Sequence, residues 1–135
     1  MAKAKLLAQA YHNLGIMLDA GVPIKRCFEG AAGATRGRIA KAFTDIAQSV
    51  MRGEMIHEAM SKHPKVFGHI DILIFESGEQ SGTSAECAKQ LSAWYDFIYR
   101  VHHTIRSGMV LPVFVLHAAA VLIQIPGIAL GGNSI

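Results

Sequence analysis

The sequence predicts an all-α fold, a six-helix cytoplasmic bundle followed by one transmembrane helix. Three observations carry this. Apolar residues recur at three- and four-residue steps from Leu6 to Ile98. No strand-like alternation runs longer than four residues. After Arg106 the last 29 residues contain no Asp, Glu, Lys or Arg. With 135 residues the chain has room for one modest core, and its 51% hydrophobic and 17% charged composition leans toward a membrane protein.

Each element follows from its own pattern. Leu6, Leu7, Ala10, Tyr11, Leu14, Met17 and Leu18 form one apolar stripe on a first helix. Gly21 sits where a left-handed C-terminal cap is needed, and Pro23 suits the first turn of the next helix because its missing N–H has no partner there. The second helix carries Ile24, Cys27, Phe28 and Ala31 and ends near Gly33, and a third carries Ile39, Phe43, Ile46, Ala47 and Val50 up to Gly53. A short fourth holds Ile56, Ala59 and Met60 and stops before Pro64, which biases His63 away from helical geometry. Val66, Phe67, Ile70, Leu73, Ile74 and Ser77 line a fifth. Thr83-x-x-Glu86 is a capping-box signature for a sixth, whose apolar face is Leu91, Trp94, Tyr95, Ile98 and His102.

The apolar stretch from Met109 through Ile123, continued by Ile125 and Ile128 to Leu130, reaches about 20 residues, the length that crosses a bilayer core. His117, Gln124 and Pro112 interrupt it, and a buried core helix is the soluble alternative. A helix apolar on every side has no place on so small a domain, which favours a membrane span. Arg100 and Arg106 precede it and nothing basic follows, so the domain at 1–106 is expected in the cytoplasm, the span at 107–130, and a tail at 131–135 outside.

Residues 1–62 carry nine Lys or Arg against five Asp or Glu, and residues 63–135 four against five. So small a surplus points to no nucleic-acid partner, and it suits a domain beside an anionic leaflet. Cys27 and Cys87 lack Cys-x-x-Cys spacing and fall at apolar positions, so they read as reduced, buried hydrophobes in a reducing compartment, with a single disulfide as the alternative. The interruptions at Gln9, His12 and Asn13 exclude a secretory signal.

The polar motifs give little chemistry. His57, His63 and His69 are six residues apart and fall on different helix faces, so no metal is expected. Gly78-Glu79-Gln80-Ser81-Gly82 is not a nucleophile elbow, since its serine adjoins the second glycine and a helix precedes it; nor does a Gly-Lys-Ser/Thr phosphate loop follow. It reads first as a turn between helices and second as a partner-binding surface. Asp71, Glu76, Glu79, Glu86 and Asp96 are expected to form an acidic end that meets a basic partner, holds a hard cation loosely or stays solvated. Arg36, Arg38 and Lys41 form an opposite, basic patch, a further candidate partner-binding surface.

Leu18-Asp19-Ala20-Gly21-Val22-Pro23-Ile24, the run from Met51-Arg52-Gly53-Glu54 to Met60, His63-Pro64-Lys65-Val66-Phe67, and Gly78-Glu79-Gln80-Ser81-Gly82 follow one another in order. This series resembles the cytoplasmic module of the type II secretion system protein F and type IV pilus platform family over about residues 6 to 106. The resemblance implies a non-enzymatic inner-membrane platform with no cofactor. Its partners would be the cytoplasmic assembly ATPase, bitopic inner-membrane secretion subunits, and pilin or pseudopilin. It maps the family's glycine-glutamate-x-serine-glycine turn onto Gly78, Glu79, Ser81 and Gly82, and its alanine-glycine-x-proline turn onto Ala20, Gly21 and Pro23. Family members carry two such modules and three membrane helices, whereas this sequence shows one of each. Thr83 and Ser84 also stand where the family has a leucine. Assembly into a homo-oligomer, or with a complementary second module, is therefore expected, with His117 and Gln124 as the polar groups that pack across membrane helices. The competing reading is a membrane-anchored helical adaptor that docks an unrelated cytoplasmic partner.

Overall fold

The computed structural model describes residues 2–124, and its regular structure there is six helices: α1 (Ala2–Asp19), α2 (Ile24–Gly33), α3 (Gly37–Met51), α4 (Ile56–Met60), α5 (His69–Ser81) and α6 (Ser84–Gln124). The chain divides into two compact units after Tyr99, the first holding α1 to α5 and the opening turns of α6. Within it each of α1 to α4 packs on the next helix, and α1 also touches α3. The α1 stripe is buried as its spacing requires: Leu7, Ala10, Tyr11 and Leu14 are fully enclosed, and Leu6, Met17 and Leu18 pack at the margin. Ile39, Phe43, Ile46 and Ala47 of α3 and Ile56, Ala59 and Met60 of α4 go inward as well, while Ile24 at the head of α2 stays exposed.

Helix α1 ends in a Schellman motif. The Val22 N–H donates to Met17 O at 3.0 Å and the Gly21 N–H to Leu18 O at 3.1 Å. This closure needs a left-handed residue, and Gly21 supplies φ 79° without a Cβ penalty. Pro23 stands at the N-cap of α2 with φ −54°, one position before the expected first turn, and its carbonyl accepts from Cys27 N–H at 3.1 Å. Cys27 and Cys87 are free and buried.

Two expectations are corrected. First, α5 is rotated about its axis: Asp71, Phe75 and Gly78 point inward, while Ile70 (61% exposed) and Leu73 (47%) face out. Trp94 of α6 is likewise exposed and stacks on Phe97, with ring centroids 6.1 Å apart. Second, the sixth helix and the apolar stretch form one continuous helix, with Pro112 inside it. Proline inside a helix forfeits a backbone donor and crowds the carbonyl four residues back, yet the helix continues past it. Among the described residues no helix is long and apolar enough to cross a membrane. The span expected at 107–130 continues into residues 125–130, which, like the tail at 131–135, lie outside the described residues.

The reason for the rotation of α5 is a buried polar cluster. Asp71 is 2% exposed, and its Oδ2 accepts from Tyr11 Oη at 2.8 Å and from Tyr95 Oη at 2.8 Å. One carboxylate thus joins α1, α5 and α6. The Tyr11 ring lies parallel to those of Phe75 and Tyr95, each with centroids 5.9 Å away, and meets Phe43 edge-on at 5.9 Å. Desolvation by burial raises the Asp71 carboxyl above its usual range, against the two tyrosine hydrogen bonds, which lower it. Burial and then the Asp71 charge push both tyrosines upward, Tyr11 well above its ordinary 10.0.

Replacing Asp71 with Ala strands two tyrosine hydroxyls, one of them fully buried. Urea denaturation should show a loss of about 2–3 kcal/mol, with Asp71→Asn losing less because its carbonyl still accepts. The tyrosines add a pH dependence. Both folded-state values lie above the unfolded one, so their contribution is complete below pH 10.0 and is lost as pH climbs beyond it toward the folded values. Tyrosinate absorbance should therefore rise for Tyr11 together with loss of helical circular dichroism. A Tyr11 that titrates normally in the folded protein contradicts the cluster.

Candidate functional site

The Gly78–Gly82 motif, expected as a loop, is the last turn of α5. Only Gly82 leaves the helix, at φ 73°, and the Thr83 N–H closes back on Gly78 O at 2.8 Å. Gly78 is a point of close approach between α5 and α6: a Cβ built there would lie 2.5 Å from Cys87 Sγ and 3.3 Å from Cys87 Cβ. The Ser81 hydroxyl donates to Ser77 O at 2.9 Å and meets Thr83 Oγ1 at 2.8 Å, so no base addresses it. Thr83 directly precedes α6, and its carbonyl accepts from Cys87 N–H at 3.0 Å. Its hydroxyl turns to Ser81 instead of to the Glu86 N–H, so the side-chain half of the capping box does not form; Glu86 stays exposed on the first turn.

Glu79 has a role the spacing did not show. Its carboxylate accepts from the backbone N–H of Ile56 at 2.7 Å and of His57 at 2.8 Å, and meets His57 Nδ1 at 2.7 Å. It caps α4 from another helix. The need for this is written locally: Met55 occupies the N-cap of α4 and has no side-chain oxygen, so the first N–H groups need an acceptor from elsewhere. The expected acidic end is therefore not assembled, because Asp71 is in the core and the Glu79 side chain is 9% exposed. Among the described residues no group of three His, Cys, Asp or Glu could hold a metal ion.

The exposed patch at the head of α3 is basic. Arg36 is the exposed N-cap of α3 with extended backbone and no side-chain cap bond; Arg38 and Lys41 are exposed on the turns that follow. Arg38 joins Lys62, His63, Pro64, Lys65 and Val66 around a groove of about 210 Å³ between α3 and the α4–α5 link. The nearby acids are already engaged: Asp45 lies 3.7 Å from His63 Nε2, and Glu54 takes both Lys62 and Arg52. A second concavity of about 300 Å³ lies between α1 and α6, where Lys5 sits 5.8 Å above the Tyr99 ring and Asp96 also lines the wall. In the second unit His117 Nδ1 lies 3.0 Å from Val113 O, on an exposed helix face with Phe114 and Val121. Gln124 is the last residue of α6.

Fold and site together define a small helical module that spends its motif residues on its own joints and presents charge outward. The model of type II secretion system protein F matches residues 10–127, and the chain belongs to that family. It is 30% identical over 106 residues to the type 4 fimbrial assembly protein PilC of Pseudomonas putida, covering 77% of this chain and 26% of that protein. To the type IV pilus assembly protein PilC of Myxococcus xanthus it is 26% identical over 104 residues, 76% of this chain and 25% of the other. To the type IV pilus assembly protein TapC of Aeromonas hydrophila it is 26% identical over 120 residues, 88% and 29% respectively. The chain spans about a quarter of the length of these curated relatives.

Two substitutions separate the motif's roles. Glu79→Ala removes the cap of α4 and should cost about 1–2 kcal/mol, with amide exchange in α4 accelerating first. Gly78→Ala should force α5 off α6 and cost at least as much, about 1–3 kcal/mol, as overpacking does. If Glu79→Ala left α4 exchange unchanged, the capping role would be wrong.

Proposed function

We propose that this chain is a non-catalytic platform segment of a type II secretion or type IV pilus-like assembly machine. Residues 1–106 lie in the cytoplasm, 107–130 cross the bacterial inner membrane and 131–135 lie beyond it. The observation that carries this reading is the family match over residues 10–127, joined to relatives that are pilus assembly proteins by name. The geometry supports binding over catalysis. Ser81 has neighbours that accept or share its proton but none that activates it, and Glu79 is committed to two backbone N–H groups.

The membrane placement is supported by the uncharged stretch after Arg106 and by the basic residues that precede it. His117 fits this setting. With Nδ1–H satisfied by Val113 O, its Nε2 is an acceptor for a neighbouring helix, and Gln124 supplies a second polar group. The partners in this reading are the assembly ATPase, bitopic inner-membrane subunits, and pilin or pseudopilin. A second copy or a complementary module completes the platform.

Expressed in bacteria, the full chain should stay with carbonate-washed membranes, and a form ending at Arg106 should be released. Co-expressed with the ATPase and bitopic subunits of its own system, the tagged chain should retrieve at least one of them. A full chain found in the supernatant defeats the membrane placement, and a chain that retrieves neither component defeats the platform role.

A further inference from the structure

We propose that the groove between α3 and the α4–α5 link is the docking site for an acidic amphipathic helix of a cytoplasmic partner protein. That helix seats one apolar side chain against Pro64 and sets its carboxylates against Arg38, Lys41 and Lys65. This deepens the platform reading and rests on it only in taking the occupant to be a partner protein.

Size decides against a small-molecule ligand. The groove encloses about 210 Å³, below the ~300–1,000 Å³ of drug-sized ligand sites, and it suits a single side chain. Chemistry then narrows the occupant. Pro64 and Val66 supply carbon at the floor, while Arg38, Lys62 and Lys65 form a cationic rim. The local acids face other groups: Glu54 holds Lys62, and Asp45 lies 3.7 Å from His63 Nε2. Among the described residues, the side chains of Arg38, Lys41 and Lys65 have no hydrogen-bond or ion-pair partner, so a docking carboxylate need displace no internal one. Arg38 and Lys41 are three apart on α3, which places their Cβ atoms about 5–6 Å apart. Asp or Glu residues three or four apart on a partner helix repeat that interval. An apolar floor within a positive rim calls for apolar and acidic groups at fixed spacing, which a phosphate headgroup does not supply. The mixed charges of the α1–α6 groove, Lys5 against Asp96, give no such preference.

The probe is a labelled helical peptide of Glu, Ala and Leu, with Glu at i and i+4 flanking one Leu, titrated by anisotropy into the full chain in neutral detergent. Binding should weaken with salt, and Arg38→Glu with Lys65→Glu should weaken it by roughly tenfold or more. Lys25→Glu, on α2, should leave it unchanged, and Pro64→Ala should weaken it without altering the salt slope. The proposal is overturned if the double variant binds as the parent does, or if polyglutamate lacking Leu competes equally well. Equal competition by glycerol 3-phosphate or inorganic phosphate would make the site a headgroup or free-anion site and also overturns it. If the double variant still retrieves the assembly ATPase and bitopic subunits at parental yield, the groove assignment fails while the platform role stands. A parent chain that binds the peptide yet retrieves no machine component does the opposite: the groove binds acidic helices and the platform role fails.

Discussion

The carboxylate of Asp71 between two tyrosine hydroxyls is the constraint on which this module depends. Three helices meet there, and none can shift or rotate without breaking an O–H···O⁻ bond of 2.8 Å. The cost is asymmetric. A satisfied buried hydrogen bond adds about 1 kcal/mol net, whereas leaving a hydroxyl or carboxylate unpaired in the core costs about 1–3 kcal/mol. The cluster therefore adds less to stability than it does to geometry. It selects one rotation of α5 by penalising every other. The Tyr11 ring makes the same selection through packing, since Phe43, Phe75 and Tyr95 all hold their places against it.

The second constraint is at the helix ends. α4 is five residues long, too short to persist without help. It receives no help from its own N-cap and takes the Glu79 carboxylate from α5 instead. Because Glu79 directly follows Gly78, the contact that brings α5 against α6 also fixes the cap of α4. A change at one joint is felt at the other. The five residues from Gly78 to Gly82 thus serve the bundle through these two joints.

Local rules made much of this legible. The stripes of α1, α3 and α4 obey helical spacing, and Gly21 marks a left-handed cap that only glycine takes without strain. α5 misled for a physical reason. In His69-Ile70-Asp71-Ile72-Leu73-Ile74 the isoleucines and leucine outnumber one acid, and periodicity alone turns the acid outward. The stripe Asp71, Phe75, Gly78 has equally good spacing, but choosing it requires two tyrosines 60 and 24 residues away to arrive as donors. Glu79 was hidden in the same way, 22 residues from the His57 it meets. The local sign was the missing cap at Met55, an unmet need that pointed to no particular donor. The boundary at Arg106 followed the change of composition, whereas the backbone runs on as one helix, with Pro112 inside it.

The division between inward and outward polar groups has a functional consequence. Asp71 and Glu79, two of the acids expected to form one charged end, are committed to internal hydrogen bonds, and elsewhere Glu54 lies against Lys62 and Arg52 and Asp45 near His63. Arg38, Lys41 and Lys65 are exposed, and no described acid pairs with their side chains. Asp71 and Glu79, used to fix helix positions, thus offer little acid surface to a partner. A helix docked as proposed would bear on α3 and the α4–α5 link, backbone already held by the core, so little ordering would be lost on binding.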